Sequence, residues 1–173
     1  MAYIQVWRLY DYVYKFIFSV SNLTFSGLPK NISLSPFEKE LKPYIDKIDF
    51  AYFNNICDRS LYPSDNMVWC LEKSQRNYAK TYIEQKYNLN ENDLIIAVDS
   101  DEILTREGIQ YIKDHPPKDF YFIKGNLYFP NYYHKIDDWN RSSVSRYNKL
   151  MQPLNDFREI NILYFTPKIR FPE

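Results

Sequence analysis

The pattern of apolar and polar positions along the chain predicts helices interspersed with strands. Residues 67–87 form the clearest predicted helix, because apolar side chains recur there at helical spacing. That apolar stripe consists of Val68, Leu71, Tyr78, Tyr82 and Ile83. Two shorter helical patterns cover residues 36–45 and 105–113. Two consecutive prolines, Pro116 and Pro117, end the second of them.

Short runs rich in β-branched and aromatic residues predict the strands. They cover residues 12–19, 48–56, 94–98, 120–124 and 126–129, with 160–165 as a further candidate. The run 94–98 is short and apolar throughout, which is typical of a central strand buried on both faces. We therefore expect an α/β fold in which residues 1–173 form a single domain, with a mostly parallel sheet flanked by helices.

Composition and charge exclude several classes of protein. Lys+Arg and Asp+Glu number 22 each, so the chain lacks the basic excess of a nucleic-acid-binding protein, and we expect no nucleic-acid partner. The three glycines lie far apart, which excludes a P-loop and a glycine-rich dinucleotide fingerprint. We expect no transmembrane segment, because no stretch approaches the roughly 20 apolar residues that cross a bilayer.

The two cysteines, Cys57 and Cys70, match no zinc-binding spacing. They can form a disulfide only if the fold brings them together. We expect them to be buried free thiols, and the compartment stays open on this evidence.

Three acidic residues follow the predicted strand 94–98 within four positions: Asp99, Asp101 and Glu102. Ligands of parallel α/β sheets bind beyond the carboxyl ends of the strands. Asp99 and Asp101 are two residues apart, so an extended backbone would point both side chains the same way. Such oxygen ligands suit Mg²⁺ or Mn²⁺. Alternatively, the acids stabilise the N-terminus of the helix that begins near Thr105.

Two other segments carry polar side chains suited to binding. In "WCLEKSQRN" (69–77), Glu72, Gln75 and Arg76 share one face of the predicted helix. Arg76 could hold a phosphate through two hydrogen bonds, or pair with Glu72 in solvent. The loop "SNLTFSG" (21–27) follows a predicted strand, and its hydroxyls and amide could hold the edge of a sugar or of uracil. It could also be a plain connecting turn.

Taken together, these segments resemble glycosyltransferase family 17 in their order and spacing. The matching residues are "YDYVYKFIFSVSNLTFSGLPK" (10–30), "WCLEKSQRN" (69–77) and "NDLIIAVDSDEI" (92–103). A looser match continues through "FYFIKGNLYFPNYYHKIDDW" (120–139), so the resemblance is strongest over residues 9–139. This family includes an enzyme that transfers N-acetylglucosamine to mannose-containing N-glycans.

The resemblance implies a GT-A-like fold, a UDP-GlcNAc donor, a glycan acceptor and a divalent cation, Mn²⁺ or Mg²⁺. By that likeness Asp99, Asp101 and Glu102 would hold the metal. The donor-binding residues would be Asn22, Ser26, Glu72, Arg76, Asn77 and Asp99. Asp137 and Asp138 are candidates for the catalytic base, and Trp139 for stacking against the acceptor sugar. The resemblance implies a Golgi membrane or lumenal location, whereas a chain complete as given would be cytoplasmic.

Two alternative functions stay open. The first is an inactive relative that binds a glycan or a protein through its aromatic surface, since Val20 stands where family members usually carry Glu. The characteristic terminal segments of the family also find no match here. The second follows from "AVDSDEI" (97–103), which is similar to the strand-ending Asp-x-Asp of haloacid dehalogenase phosphohydrolases. In that group a Gly-Thr pair follows the motif, whereas here Glu102 and Ile103 follow.

Overall fold

A computed structural model describes residues 2–24, 26–31, 38–99, 102–118, 120–128, 135–149 and 154, with backbone alone for 2, 38, 120–128, 135–141 and 149. The helices within these ranges are α1 (Ala2–Leu9), α2 (Glu38–Leu41), α3 (Met67–Lys86) and α4 (Arg106–Asp114), with 3₁₀ turns at Lys42–Lys47 and Tyr147–Lys149. The strands are β1 (Phe16–Val20), β2 (Ile48–Tyr52), β3 (Leu94–Ala97), β4 (Phe120–Tyr128) and β5 (Lys135–Arg146). The candidate strand 160–165 lies outside the described residues.

Strands β1 and β2 form a parallel pair. Their register runs from Phe16 opposite Ile48 to Val20 opposite Tyr52, so both strands end at the same edge. Ile48 packs with Val6 and Leu41 in a buried cluster on this pair. The loops that follow the two strands therefore leave the sheet side by side.

The other described strands form an antiparallel sheet in the order β3-β5-β4. The expected mostly parallel GT-A-like sheet is thus not confirmed: the described chain is a mixed α/β fold with one two-stranded parallel sheet. Only residues 129–134 separate β4 from β5, fewer than the dozen or so that a parallel crossover needs. β3 lies at an edge of the described sheet and is half-buried, so the expectation of a fully buried central strand is wrong.

Helices cover both faces of this antiparallel sheet. α1 and α4 cover one face, where Leu9, Ile109 and Ile112 pack with Val144 of β5. On the other face, Ala79 of α3 packs with Ile95 and Ala97 of β3 around the buried Leu154. α3 begins as its stripe predicts, with the Asn66 side chain accepting a hydrogen bond of 3.0 Å from the Trp69 amide.

Cys57 and Cys70 form a disulfide, with their Cα atoms 5.3 Å apart, so the expectation of free thiols is wrong. The loop after β2 folds back onto the first turns of α3, where the Asp58 amide donates a 2.9 Å hydrogen bond to the Ser74 hydroxyl. That contact depends on tertiary packing, and the spacing of the two cysteines in the sequence does not reveal it.

We expect reduction of the Cys57–Cys70 bond to lower the free energy of unfolding by about 2–3 kcal/mol. The bond closes a loop of sequence separation 13, and its loss restores chain entropy to the unfolded state. Urea unfolding with and without reductant measures the effect, and the Cys57→Ser/Cys70→Ser double variant should be insensitive to reductant. Two reactive thiols in the untreated folded protein would contradict the prediction.

Candidate functional site

The loops that leave β1 and β2 are joined through Asn55. The Ser21 hydroxyl donates to Asn55 Oδ1, and Asn55 Nδ2 donates to Asn22 Oδ1. Asn55 has a φ of 59°, a left-handed conformation that asparagine tolerates better than most residues. Asn22, a predicted donor ligand, is thereby held at the carboxyl edge of the parallel pair. Sequence reasoning missed Asn55, since only its positive φ and its partners across the loop mark it.

Ser26 lies farther along the same loop and is exposed. Its hydroxyl lies 3.0 Å from that of Thr24, which also accepts a hydrogen bond from the Leu28 amide. Gly27, with a φ of 81°, makes the turn. The loop is closed by its own side chains, as the connecting-turn interpretation expects, and it presents Ser26 to solvent.

Helix α3 is fixed to the end of β1 by a reciprocal pair of hydrogen bonds. The Ser19 hydroxyl donates to the Gln75 carbonyl at 2.8 Å, and Gln75 Nε2 donates to the Ser19 carbonyl at 2.8 Å. The two residues are 56 positions apart in sequence. These bonds are therefore tertiary contacts that fix the position of α3 relative to β1. Gln75, which the sequence placed among the possible binding residues, therefore has a structural contact.

Arg76 contacts two other residues that were predicted to bind the sugar donor, Glu72 and Asp99. We call these three residues the charged group. Arg76 Nη2 lies 2.5 Å from Glu72 Oε1, one helical turn away, and 3.5 Å from Asp99 Oδ2 at the end of β3. The three side chains are 24–39% exposed, so solvent reaches them. A guanidinium thus supplies the positive charge beside the acidic segment.

Asp99 and Glu102 make different contacts. The Glu102 amide donates to the Asp99 carbonyl at 3.0 Å, while Glu102 Oε2 accepts from the Asp99 amide at 2.6 Å and from the Ser142 hydroxyl at 3.1 Å. Glu102 therefore stabilises the backbone that follows β3, whereas the Asp99 side chain reaches Arg76. Asp101 lies outside the described residues. Among the residues that are described, no group of three or more His, Cys, Asp or Glu side chains could hold a metal ion.

Asn77 is separated from the charged group by the geometry of α3. Successive helical residues differ in direction by about 100°, so Asn77 points away from its neighbour Arg76. Asn77 Nδ2 donates to the Tyr62 hydroxyl at 2.8 Å. Its side chain lines an open cleft of about 380 Å³ between α3 and the loop after β2. The structure therefore puts Arg76 and Asn77 in two different surroundings.

Asp137, Asp138 and Trp139 lie on β5, where Trp139 is opposite Gly125 of β4. Their backbone alone is described, so their assignment as base candidates and as a stacking residue stays a prediction.

Comparison with protein families decides the identity of the chain. The model of glycosyltransferase family 17 matches residues 1–164. The chain belongs to glycosyltransferase family 17. This confirms the resemblance inferred from residues 9–139, and it favours sugar transfer over the phosphohydrolase alternative. Membership in glycosyltransferase family 17 indicates a sugar donor and an acceptor as partners.

No curated protein and no solved structure matches the chain. Within the described part of this family 17 member, none of the helices combines the length and apolar character needed to traverse a bilayer.

We expect Glu102→Ala to destabilise the fold more than Asp99→Ala does. Truncation of Glu102 leaves the Asp99 amide and the Ser142 hydroxyl without their acceptor, at a cost of about 1–3 kcal/mol. Loss of the partly exposed Asp99–Arg76 pair costs about 1 kcal/mol or less. Urea unfolding of both variants measures the difference, and a larger loss for Asp99→Ala would contradict this division of roles.

Proposed function

We propose that this chain is a metal-dependent glycosyltransferase that moves N-acetylglucosamine from UDP-GlcNAc to a mannose-containing glycan. The observation that carries the proposal is the charged group, in which Arg76 lies between Glu72 and Asp99 just beyond the end of β3. A nucleotide diphosphate with its cation needs both a positive side chain and carboxylates, and this group supplies both.

Arg76 can exchange its present partners for a phosphate at low cost. Its ion pairs with Glu72 and Asp99 are partly exposed, and such pairs contribute about 1 kcal/mol or less. A guanidinium binds phosphate through two parallel hydrogen bonds, which are stronger than bonds between neutral groups. Arg76 would therefore turn from the carboxylates to the diphosphate when the donor binds.

The carboxylates of this segment would suit a divalent cation. Asp99 offers a partly exposed carboxylate at the end of a strand. Asp101 supplies a second carboxylate two residues later in the sequence. Oxygen ligands of this kind suit Mg²⁺ or Mn²⁺. Asp99 and Asp101 would hold the ion, and Glu102 would keep the backbone of Asp99 in place through its bond to the Asp99 amide. When bound, the cation would neutralise the charge that develops on the departing UDP.

Transfer also requires a base on the acceptor side. The acceptor hydroxyl oxygen attacks the anomeric carbon, its proton passes to a carboxylate, and the electron pair of the broken bond leaves with UDP. Asp137 and Asp138 are the candidates for this carboxylate, and the neighbouring Trp139 is the candidate for stacking on the acceptor sugar. An inactive relative that binds glycans would bind without this step.

We expect UDP-GlcNAc to bind in the presence of Mn²⁺ and to be transferred or slowly hydrolysed. Arg76→Met should weaken donor binding about tenfold or more, because it removes charge-assisted hydrogen bonds to phosphate. Asp99→Asn should reduce the dependence of binding on Mn²⁺. Calorimetry measures the affinities, and release of UDP measures turnover.

Arg8→Met is the matched control, because it removes an arginine from α1 and should leave donor binding unchanged. Absence of donor binding with and without Mn²⁺ would contradict the proposed function. Binding of donor and glycan with no turnover would contradict its catalytic part and favour the inactive relative.

A further inference from the structure

The open cleft between α3 and the loop after β2 has the size and position of a ligand site. Its volume of about 380 Å³ lies within the usual range of about 300–1,000 Å³ for small-molecule pockets. It opens where β2 ends, since the Phe53 amide still pairs with the Val20 carbonyl at 2.8 Å and Phe53 lines the cleft. Ligands of parallel strand pairs bind beyond this edge.

The lining groups suit a neutral ligand rich in hydroxyl groups. Amides, hydroxyls and aromatic rings are contributed by Asn54, Asn77, Ser74, Thr81, Phe53 and Tyr78. The exposed amide of Asn54 and the exposed hydroxyl of Thr81 can donate and accept hydrogen bonds with a ligand. The rings of Phe53 and Tyr78 pack against each other with centroids 5.9 Å apart, and they give the cleft an apolar surface.

The two charged residues of the cleft are adjacent, opposite in sign and already engaged. Asp58 Oδ1 accepts hydrogen bonds from the hydroxyl and the amide of Ser60, at 2.5 and 3.0 Å. The Ser60 hydroxyl in particular lowers the pKa of Asp58, so this carboxylate stays ionised. Arg59 Nη1 donates to the Asp65 carbonyl at 2.5 Å. The cleft therefore offers no net charge to a ligand and does not suit a diphosphate.

The wall of the cleft is held against α3 before any ligand binds. Cys57 of the loop is bonded to Cys70 of the helix, and the Asp58 amide bonds to Ser74 one turn later. A wall fixed in this way reduces the entropy that binding would otherwise cost.

The cleft and the charged group occupy opposite sides of α3. Ser74, Asn77, Tyr78 and Thr81 follow one another at helical spacing on the cleft side. Glu72 and Arg76 point in the opposite direction, about half a helical turn around the axis of α3. There Arg76 forms ion pairs with Glu72 and with Asp99. A helix with its side chains is about 10–12 Å wide, so only a ligand of several units reaches from one side to the other.

We infer that this cleft binds a sugar residue of the acceptor glycan at a distance from the hydroxyl that is glycosylated. The inference rests on the proposed function for the identity of the acceptor, and it assigns to the cleft a part of that glycan beyond the reacting sugar. The binding energy of this distant sugar would be used to position the sugar that reacts.

The test uses a mannose trisaccharide as probe, without donor or metal, and follows binding to the full chain by NMR titration. Thr81→Trp fills the cleft from an exposed position, and it should weaken trisaccharide binding about tenfold or more. Gln85→Trp is the matched control, because Gln85 is exposed one turn farther along α3 and does not line the cleft. That variant should bind like the wild type.

Asn54→Ala is a second variant that removes one exposed amide from the lining, and it should weaken binding severalfold. Unchanged affinity in both Thr81→Trp and Asn54→Ala, or no binding by the wild type, would overturn the inference. Donor binding with Mn²⁺ should be unchanged in Thr81→Trp, because the charged group lies across the helix. If the wild type does not bind the donor at all, the proposed function is overturned instead. Failure of the cleft inference and failure of the proposed function are therefore distinguishable.

Discussion

The docking of α3 onto the end of β1 is the interaction on which the remaining arrangement depends. Ser19 and Gln75 exchange two hydrogen bonds of 2.8 Å between residues 56 positions apart, in a partly buried place where water competes poorly. These two hydrogen bonds fix the rotation of α3 about its own axis and its position along that axis relative to β1. One side of α3 consequently meets Asp99 through Arg76, and the opposite side meets the loop after β2 across the cleft.

Local patterns in the sequence predicted those parts of the structure that local forces determine. The helix predicted over residues 67–87 and the strand predicted over residues 94–98 both form, as α3 at Met67–Lys86 and β3 at Leu94–Ala97. The eight-residue α1 escaped notice because a helix so short carries little periodic signal, although Leu9 is fully buried in the core.

Contacts between distant residues account for what the sequence did not reveal. The disulfide depends on the loop after β2 folding back onto α3, and the hydrogen bond from Ser142 to Glu102 joins residues 40 positions apart. The antiparallel pairing of β3 with β5 is equally non-local, so a run of apolar residues could not distinguish it from a parallel strand. Disulfides of this kind persist in oxidising surroundings.

The central claim is that α3 separates a charged donor side from a neutral glycan side. Hydrogen exchange of the backbone amides, measured with UDP and Mn²⁺ and then with the mannose trisaccharide, tests it most directly. We expect UDP to slow exchange around residues 72–76 and 99–102, and the trisaccharide to slow exchange around residues 53–59 and 77–81. Protection of one and the same segment by both ligands would contradict the account.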